Sequence, residues 1–125
     1  MSLSGLTTAL LALLRQTDLP VYLSDQLPHH AALPYLTCLP PSPAFGQTAP
    51  VTVSAWFREP DAHAQRQALG QRLRALIPEG GAALTFPGGM DSLHRAGSFL
   101  TLDRDDADPR VLCLRARLTL RLYDL

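Results

Sequence analysis

The chain has 125 residues, 46% of them hydrophobic and 18% charged, which is the size of one domain (1–125) with enough apolar material for one core and excludes a wholly disordered protein. Eleven basic residues balance eleven acidic ones, so no net field draws the chain to nucleic acid or to an anionic membrane, and neither is expected as a specific partner. All eleven basic residues are Arg, which a GC-rich coding sequence explains better than a need for guanidinium geometry.

In the N-terminal run, Leu3, Leu6, Leu10, Leu13 and Leu14 recur at three- and four-residue steps, one face of a helix. Ser2 or Ser4 can cap its start, and Asp18-Leu19-Pro20 stops it. The run has no positive charge ahead of it and no small-residue cleavage site, and it is shorter than the roughly 20 apolar residues that span a bilayer. A helix packed on a sheet, in a cytoplasmic protein, is therefore expected.

Pro20 to Ser24 is short and β-prone and predicts a first strand. After the loop Pro28-His29-His30, Leu33 to Leu39 predicts a second, closed by Pro40-Pro41-Ser42-Pro43. Ala44 to Ala49 reads as a loop. Pro50 to Phe57 then alternates cleanly, with Val51, Val53, Ala55 and Phe57 on one face and Thr52, Ser54, Trp56 and Arg58 on the other. A Trp on an otherwise polar face predicts partial cover, by a partner or by the chain itself.

Glu59-Pro60-Asp61 breaks that strand, and Asp61 can cap a helix running to about Ile77, with Ala62, Leu69, Leu73, Leu76 and Ile77 on its apolar side. Pro78-Glu79-Gly80-Gly81 ends it. Ala82 to Phe86 is a short strand, Pro87 to Gly97 a glycine-rich loop, and Ser98 to Asp103 a strand joined to the last one through the Asp- and Pro-rich turn Arg104 to Pro109. These last two strands are expected to form a hairpin. In the final strand, Val111 to Tyr123, Leu112, Leu114, Ala116, Leu118, Leu120 and Leu122 point one way. Val111, Cys113, Arg115, Arg117, Thr119, Arg121 and Tyr123 point the other. Thirteen extended residues reach on the order of 43 Å, so this strand is expected to bend or to project beyond its sheet.

Little in the chain reads as chemistry. His29 and His30 diverge in an extended backbone, and no metal-ligand spacing surrounds them, His63 or His94. The cluster Asp103, Asp105, Asp106, Asp108 lacks the Gly and the Glu of a calcium loop and reads as a solvated turn. Pro87-Gly88-Gly89 lacks the Lys-Ser/Thr of a phosphate loop. Ser92 or Cys38 can be paired with His94 as a nucleophile, but no motif orders a base beside either. Cys38 and Cys113 read as buried thiols, with a disulfide open if their strands are neighbours. Neither a metal, a cofactor nor an enzymatic activity is expected.

The order of these elements, with the short matches Val21-Tyr22 and Pro34-Tyr35, resembles the small tail-terminator, or tail-completion, proteins of tailed bacteriophages and prophages. In that family a helix is followed by a Val-Tyr strand, a Pro-Tyr strand, a strand that begins a strand–helix unit, and closing antiparallel strands. The resemblance covers nearly the whole chain. It implies an α+β domain whose mostly antiparallel sheet carries two helices on one face, and a homo-oligomeric ring of six subunits in the virion, assembled in the host cytoplasm. Such a ring caps the finished tail tube, joins it to the head-tail connector proteins, and needs no cofactor. Trp56, Arg115, Arg117, Arg121 and Tyr123 are the candidate subunit-interface residues. Two alternatives stand beside this reading: a small ligand-binding domain or enzyme with a pocket lined by Trp56, His94 and the glycine-rich loop, and an adaptor that pairs through an exposed strand edge.

Overall fold

The computed structural model of the chain describes residues 3–39, 48–86, 89–104 and 107–121. In chain order the elements are α1 (Leu3–Arg15), β1 (Val21–Leu23), β2 (Tyr35–Cys38), β3 (Thr48–Arg58), α2 (Ala62–Leu76), β4 (Ala82–Phe86), β5 (Gly89–Arg104) and β6 (Val111–Arg121). The strands form one sheet in the order β1-β2-β3-β6-β5-β4, parallel between β1 and β2 and antiparallel at every other pairing. The fold is α+β, as expected.

The centre of the sheet is β3 against β6, paired residue for residue from Thr48↔Arg121 to Arg58↔Val111. Because side chains alternate, this register stacks Val51 on Leu118, Val53 on Ala116, Ala55 on Leu114 and Phe57 on Leu112, all buried. Leu36 and Cys38 of β2 and Leu93 of β5 extend the same apolar face. Both helices cover it. α2 lies over β3 and β6 with Ala62, Leu69 and Leu73 turned inward, and α1 buries Leu6, Leu10 and Leu14. α1 touches β1 and β4, the two opposite edges of the sheet, so the sheet curls around it. The edge strands β1 and β4 are only three and five residues long and are flanked by that helix, but β4 pairs only with residues 89–93, so among the described residues the outer edge of β5 beyond Leu93 has no strand beside it.

The helix ends are tied together by polar contacts. Thr17, fully buried just beyond α1, donates its hydroxyl to the carbonyl of Leu14 at 2.7 Å, and its own carbonyl accepts from Arg72 of α2 at 2.6 Å. Arg95 of β5 donates to the carbonyls of Ile77 at 2.7 Å and Arg74 at 3.2 Å, satisfying the exposed end of α2, and lies 4.7 Å over the ring of Phe99. Asp61 precedes α2 but makes no side-chain cap bond; its carbonyl accepts from Gln65 instead.

Several boundaries differ from the sequence reading. β3 starts at Thr48, two residues before Pro50, so the expected loop Ala44 to Ala49 gives its last two residues to the strand; residues 44–47 lie outside the described ones. Pro50 fits because β2 has ended: Leu39 bonds the carbonyl of Thr52, and the missing N–H of Pro50, two residues on, points past the end of β2. The loop expected from Pro87 to Gly97 is mostly strand. β5 runs from Gly89 to Arg104 and absorbs its glycine in a bulge between Arg95 and Leu100, where four residues stand opposite Arg117 and Gly97 has φ +50°. The hairpin of β5 with β6 is present. β6 does not project from the sheet along its described length: it is paired on both sides, and Leu122 and Tyr123 lie outside the described residues.

The two cysteines are free and buried, on opposite faces. Cys38 aligns with Val53 in the core, whereas Cys113 aligns with Trp56 on the other side, so the sheet itself separates them and forbids a bridge. Burial pushes the Cys38 thiol up from 9.0 to about 12. Burial also raises Cys113, against an opposing pull from the charge of Arg115. The thiolate is the reactive form, and a thiol pushed up to about 12 is almost wholly protonated at pH 8. Iodoacetamide is expected to label Cys38 only when the protein is unfolded by denaturant, as read by peptide mass mapping; rapid labelling in buffer would place this residue outside the core. Because the folded pKa is the raised one, the stabilisation from this thiol is complete below pH 9.0 and declines as pH rises towards about 12.

Candidate subunit interface

The side of the sheet away from the helices is where the sequence-predicted interface residues meet. Trp56 lies opposite Cys113, Ser54 opposite Arg115, Thr52 opposite Arg117 and Thr48 opposite Arg121. Residues assigned separately to the polar faces of two strands therefore make one continuous surface, because those strands are neighbours. Tyr123 lies outside the described residues.

This surface has two halves. Towards β5 it is an arginine strip. Arg115 pairs with Asp103 at 3.2 Å and Arg117 donates to the Thr101 hydroxyl at 3.0 Å, both across to β5, while Arg117 and Arg121 remain exposed. Towards β1 it is aromatic: Tyr22 and Tyr35 meet edge to face with centroids 6.0 Å apart, and Tyr35 lies beside Trp56 in register. The indole N–H of Trp56 donates to the Thr37 hydroxyl at 3.3 Å and fixes the ring, which is half-buried.

The predicted cover over Trp56 comes in part from the chain itself. The segment between β1 and β2 rises along this face and, with Tyr35, Trp56 and Val111, walls a cleft of about 620 Å³ that also takes in Ser24, Leu27 and Leu33. Leu27 is 38% exposed at its rim. One end is closed by an ion-pair cluster in which Asp108 meets Arg58 at 3.2 Å and Arg110 at 3.4 Å. The backbone N–H of Arg110 first, then its guanidinium and that of Arg58, hold the Asp108 carboxyl below its ordinary pKa. Nothing in the local sequence marks this cleft, since it depends on a connecting segment crossing strands far from it in the chain.

The other candidates fall elsewhere. The sequence alternative that put Trp56 and His94 in one pocket is corrected by the register: His94 stands opposite Thr119 and Trp56 opposite Cys113, six residues apart on β6 and therefore about 20 Å along the strand. His94 does meet Ser92, with Nε2 and Oγ 2.8 Å apart, and its ring packs so closely on Gly81 that a Cβ there would come within 2.5 Å of Nδ1. This pair sits on β5, and neither residue lines the Trp56 cleft. His63 lies 3.9 Å from Glu59 on the exposed start of α2. Among the described residues no three metal-ligating side chains converge, and no helix is long and apolar enough to cross a membrane.

No protein-family model matches the chain, and no curated protein matches its sequence. Solved structures do resemble it. A chain from the virion of a native gene transfer agent particle superposes with a TM-score of 0.65 over 96% of this chain and 92% of its own, at 16% identity. A second solved chain superposes with a TM-score of 0.65 over 98% of this chain and 93% of its own, at 12% identity. At such identities the likeness is one of fold, and it spans both chains almost end to end.

Proposed function

We propose that this protein is a structural component of a phage or phage-like virion, a non-enzymatic subunit that closes into a ring on the end of a tail tube and joins it to the head-tail connector. The observation that carries this reading is the fold shared over 96% of the chain with a component of a gene transfer agent virion, at a TM-score of 0.65. It agrees with the element order that resembles tail-terminator proteins. The exposed arginine and aromatic surface supports it physically, since a ring needs two different patches on each subunit whose contact rotates to closure. The balanced formal charge is compatible with a ring through which DNA passes without being held.

The test is assembly. Native mass spectrometry and light scattering over a wide concentration range, with and without purified tail tubes of the same particle, are expected to find a closed ring, and electron microscopy to find it at the tube end. A protein that stays monomeric and ignores tubes throughout overturns the reading.

A further inference from the structure

We infer that the groove between α2 and the open edge of β5 takes an extended acidic segment of another protein, which joins the six-stranded sheet as a further strand. The inference goes beyond the ring reading and does not rest on it, because this groove lies on the helix side of the sheet, away from Trp56 and Arg117.

The first argument is the backbone. From Leu100 to Arg104, β5 is a regular strand paired with β6 on one side, while its pairing with β4 ends at Leu93 on the other. Every second residue of such an edge directs its N–H and C=O outward. The chain cannot cover this edge itself. Residues 105–106 join Arg104 to Ala107 by three links, at most about 11 Å, and running back beside Leu102 and returning takes about 13 Å. Residues 40–47 join Leu39, beside Thr52, to Thr48 by nine links, at most about 32 Å. Leu102 adjoins Leu114 and so stands level with Ala55; reaching it takes about 33 Å along the strands alone, with β6 and β5 still to cross. Residues 122–125 start at Arg121, about 23 Å along β6 from Leu114, and four links do not span that.

The second argument is charge. The groove holds about 360 Å³, and in it Arg66, Gln67, Gln71 and Arg74 face Leu100 and Leu102, the latter 41% exposed. The Nε of Arg66 is buried without a hydrogen-bond partner among the described residues, and no carboxylate among them pairs with Arg74. α2 carries three arginines and no Asp or Glu. A buried donor left unpaired is costly, and a carboxylate is the acceptor that guanidinium groups bind best. Arg66 and Arg74 are eight residues apart on α2, about 12 Å along its axis. Residues four apart share one face of an extended strand and are about 13 Å apart. The segment that fits therefore carries Asp or Glu at two positions four apart, with an apolar residue midway to cover Leu100 and Leu102. No two acidic residues of this chain are four apart. Two copies meeting edge to edge would set the arginines of one α2 towards those of the other. The occupant is thus a different protein.

The experiment uses the full chain and two fluorescein-labelled peptides, Thr-Glu-Thr-Val-Thr-Glu-Thr and the same sequence with Lys for each Glu. By anisotropy the acidic peptide is expected to bind wild type at least about tenfold more tightly than the Lys peptide, and Arg66→Glu with Arg74→Glu to reverse that order. Hydrogen exchange read by NMR is expected to slow at amides between Leu100 and Arg104 when the acidic peptide is added. If circular dichroism shows that the double variant has not folded, Arg74→Glu alone, at an exposed position, takes its place and is expected to weaken the preference. Equal binding of the two peptides, no binding at about 1 mM, or protection that falls outside this edge overturns the inference. Protection of the edge that grows with protein concentration alone makes a second copy the occupant and overturns it as well.

Discussion

Phe57→Ala is expected to cost about 3–5 kcal/mol, the largest loss from any single truncation in this fold. Phe57 is fully buried, lies opposite Leu112, and fills the space beneath α2 with a ring that no neighbour can replace without moving the strand. Against a total stability of about 5–15 kcal/mol, such a loss leaves little reserve. Urea denaturation followed by circular dichroism should show a large fall in the midpoint with an unchanged slope. The adjacent substitution is the control. Trp56 points to the opposite face, is half-buried and holds one hydrogen bond to Thr37, so Trp56→Ala should cost roughly 1 kcal/mol in the isolated subunit. If the two substitutions cost the same, or in the reverse order, the face assignment of β3 is wrong.

Arg117→Glu with Arg121→Glu is expected to leave the subunit folded and to abolish ring formation at every accessible concentration. Both residues are exposed on the helix-free face, where substitutions usually change stability by no more than about 0.5 kcal/mol. If this face is the proposed subunit interface, reversing two of its charges puts repulsion and unpaired charge at the contact, which disfavours assembly. Arg115 is a poorer choice for this test: its guanidinium is 3.2 Å from Asp103, and a Glu there would set two carboxylates together within the monomer. Thermal melting compares the monomers, and light scattering with tube binding reads assembly. A double variant that still closes rings removes this face from the interface. One that melts far below wild type means the face is covered within the subunit.

What could be read from the sequence follows from which interactions are local. The helix face Leu6, Leu10, Leu14 and the alternations Val51 to Phe57 and Leu112 to Leu120 were legible because a one-sided sheet writes a period of two, and a half-buried helix three to four, directly into the chain. β5 was not. Its Gly89, Ser92, His94 and Gly97 dilute the apolar pattern, and a bulge changes the facing of residues midway, so that Leu93 and Leu100 share the core across an odd spacing. The candidate interface was half legible. Trp56 and the arginines could each be assigned to a strand face, but their meeting on one surface required the pairing of β3 with β6, which is long-range and leaves no local mark. The opposite orientation of Cys38 and Cys113 has the same origin, as does the cleft walled by the connection between β1 and β2.

The unbroken ladder between β3 and β6 also has a mechanical meaning for a subunit loaded in an assembly. A pull applied at the two ends of β3 runs along the strand axis. All eleven residue pairs with β6 resist it together in shear, instead of parting one at a time as in a peeled hairpin.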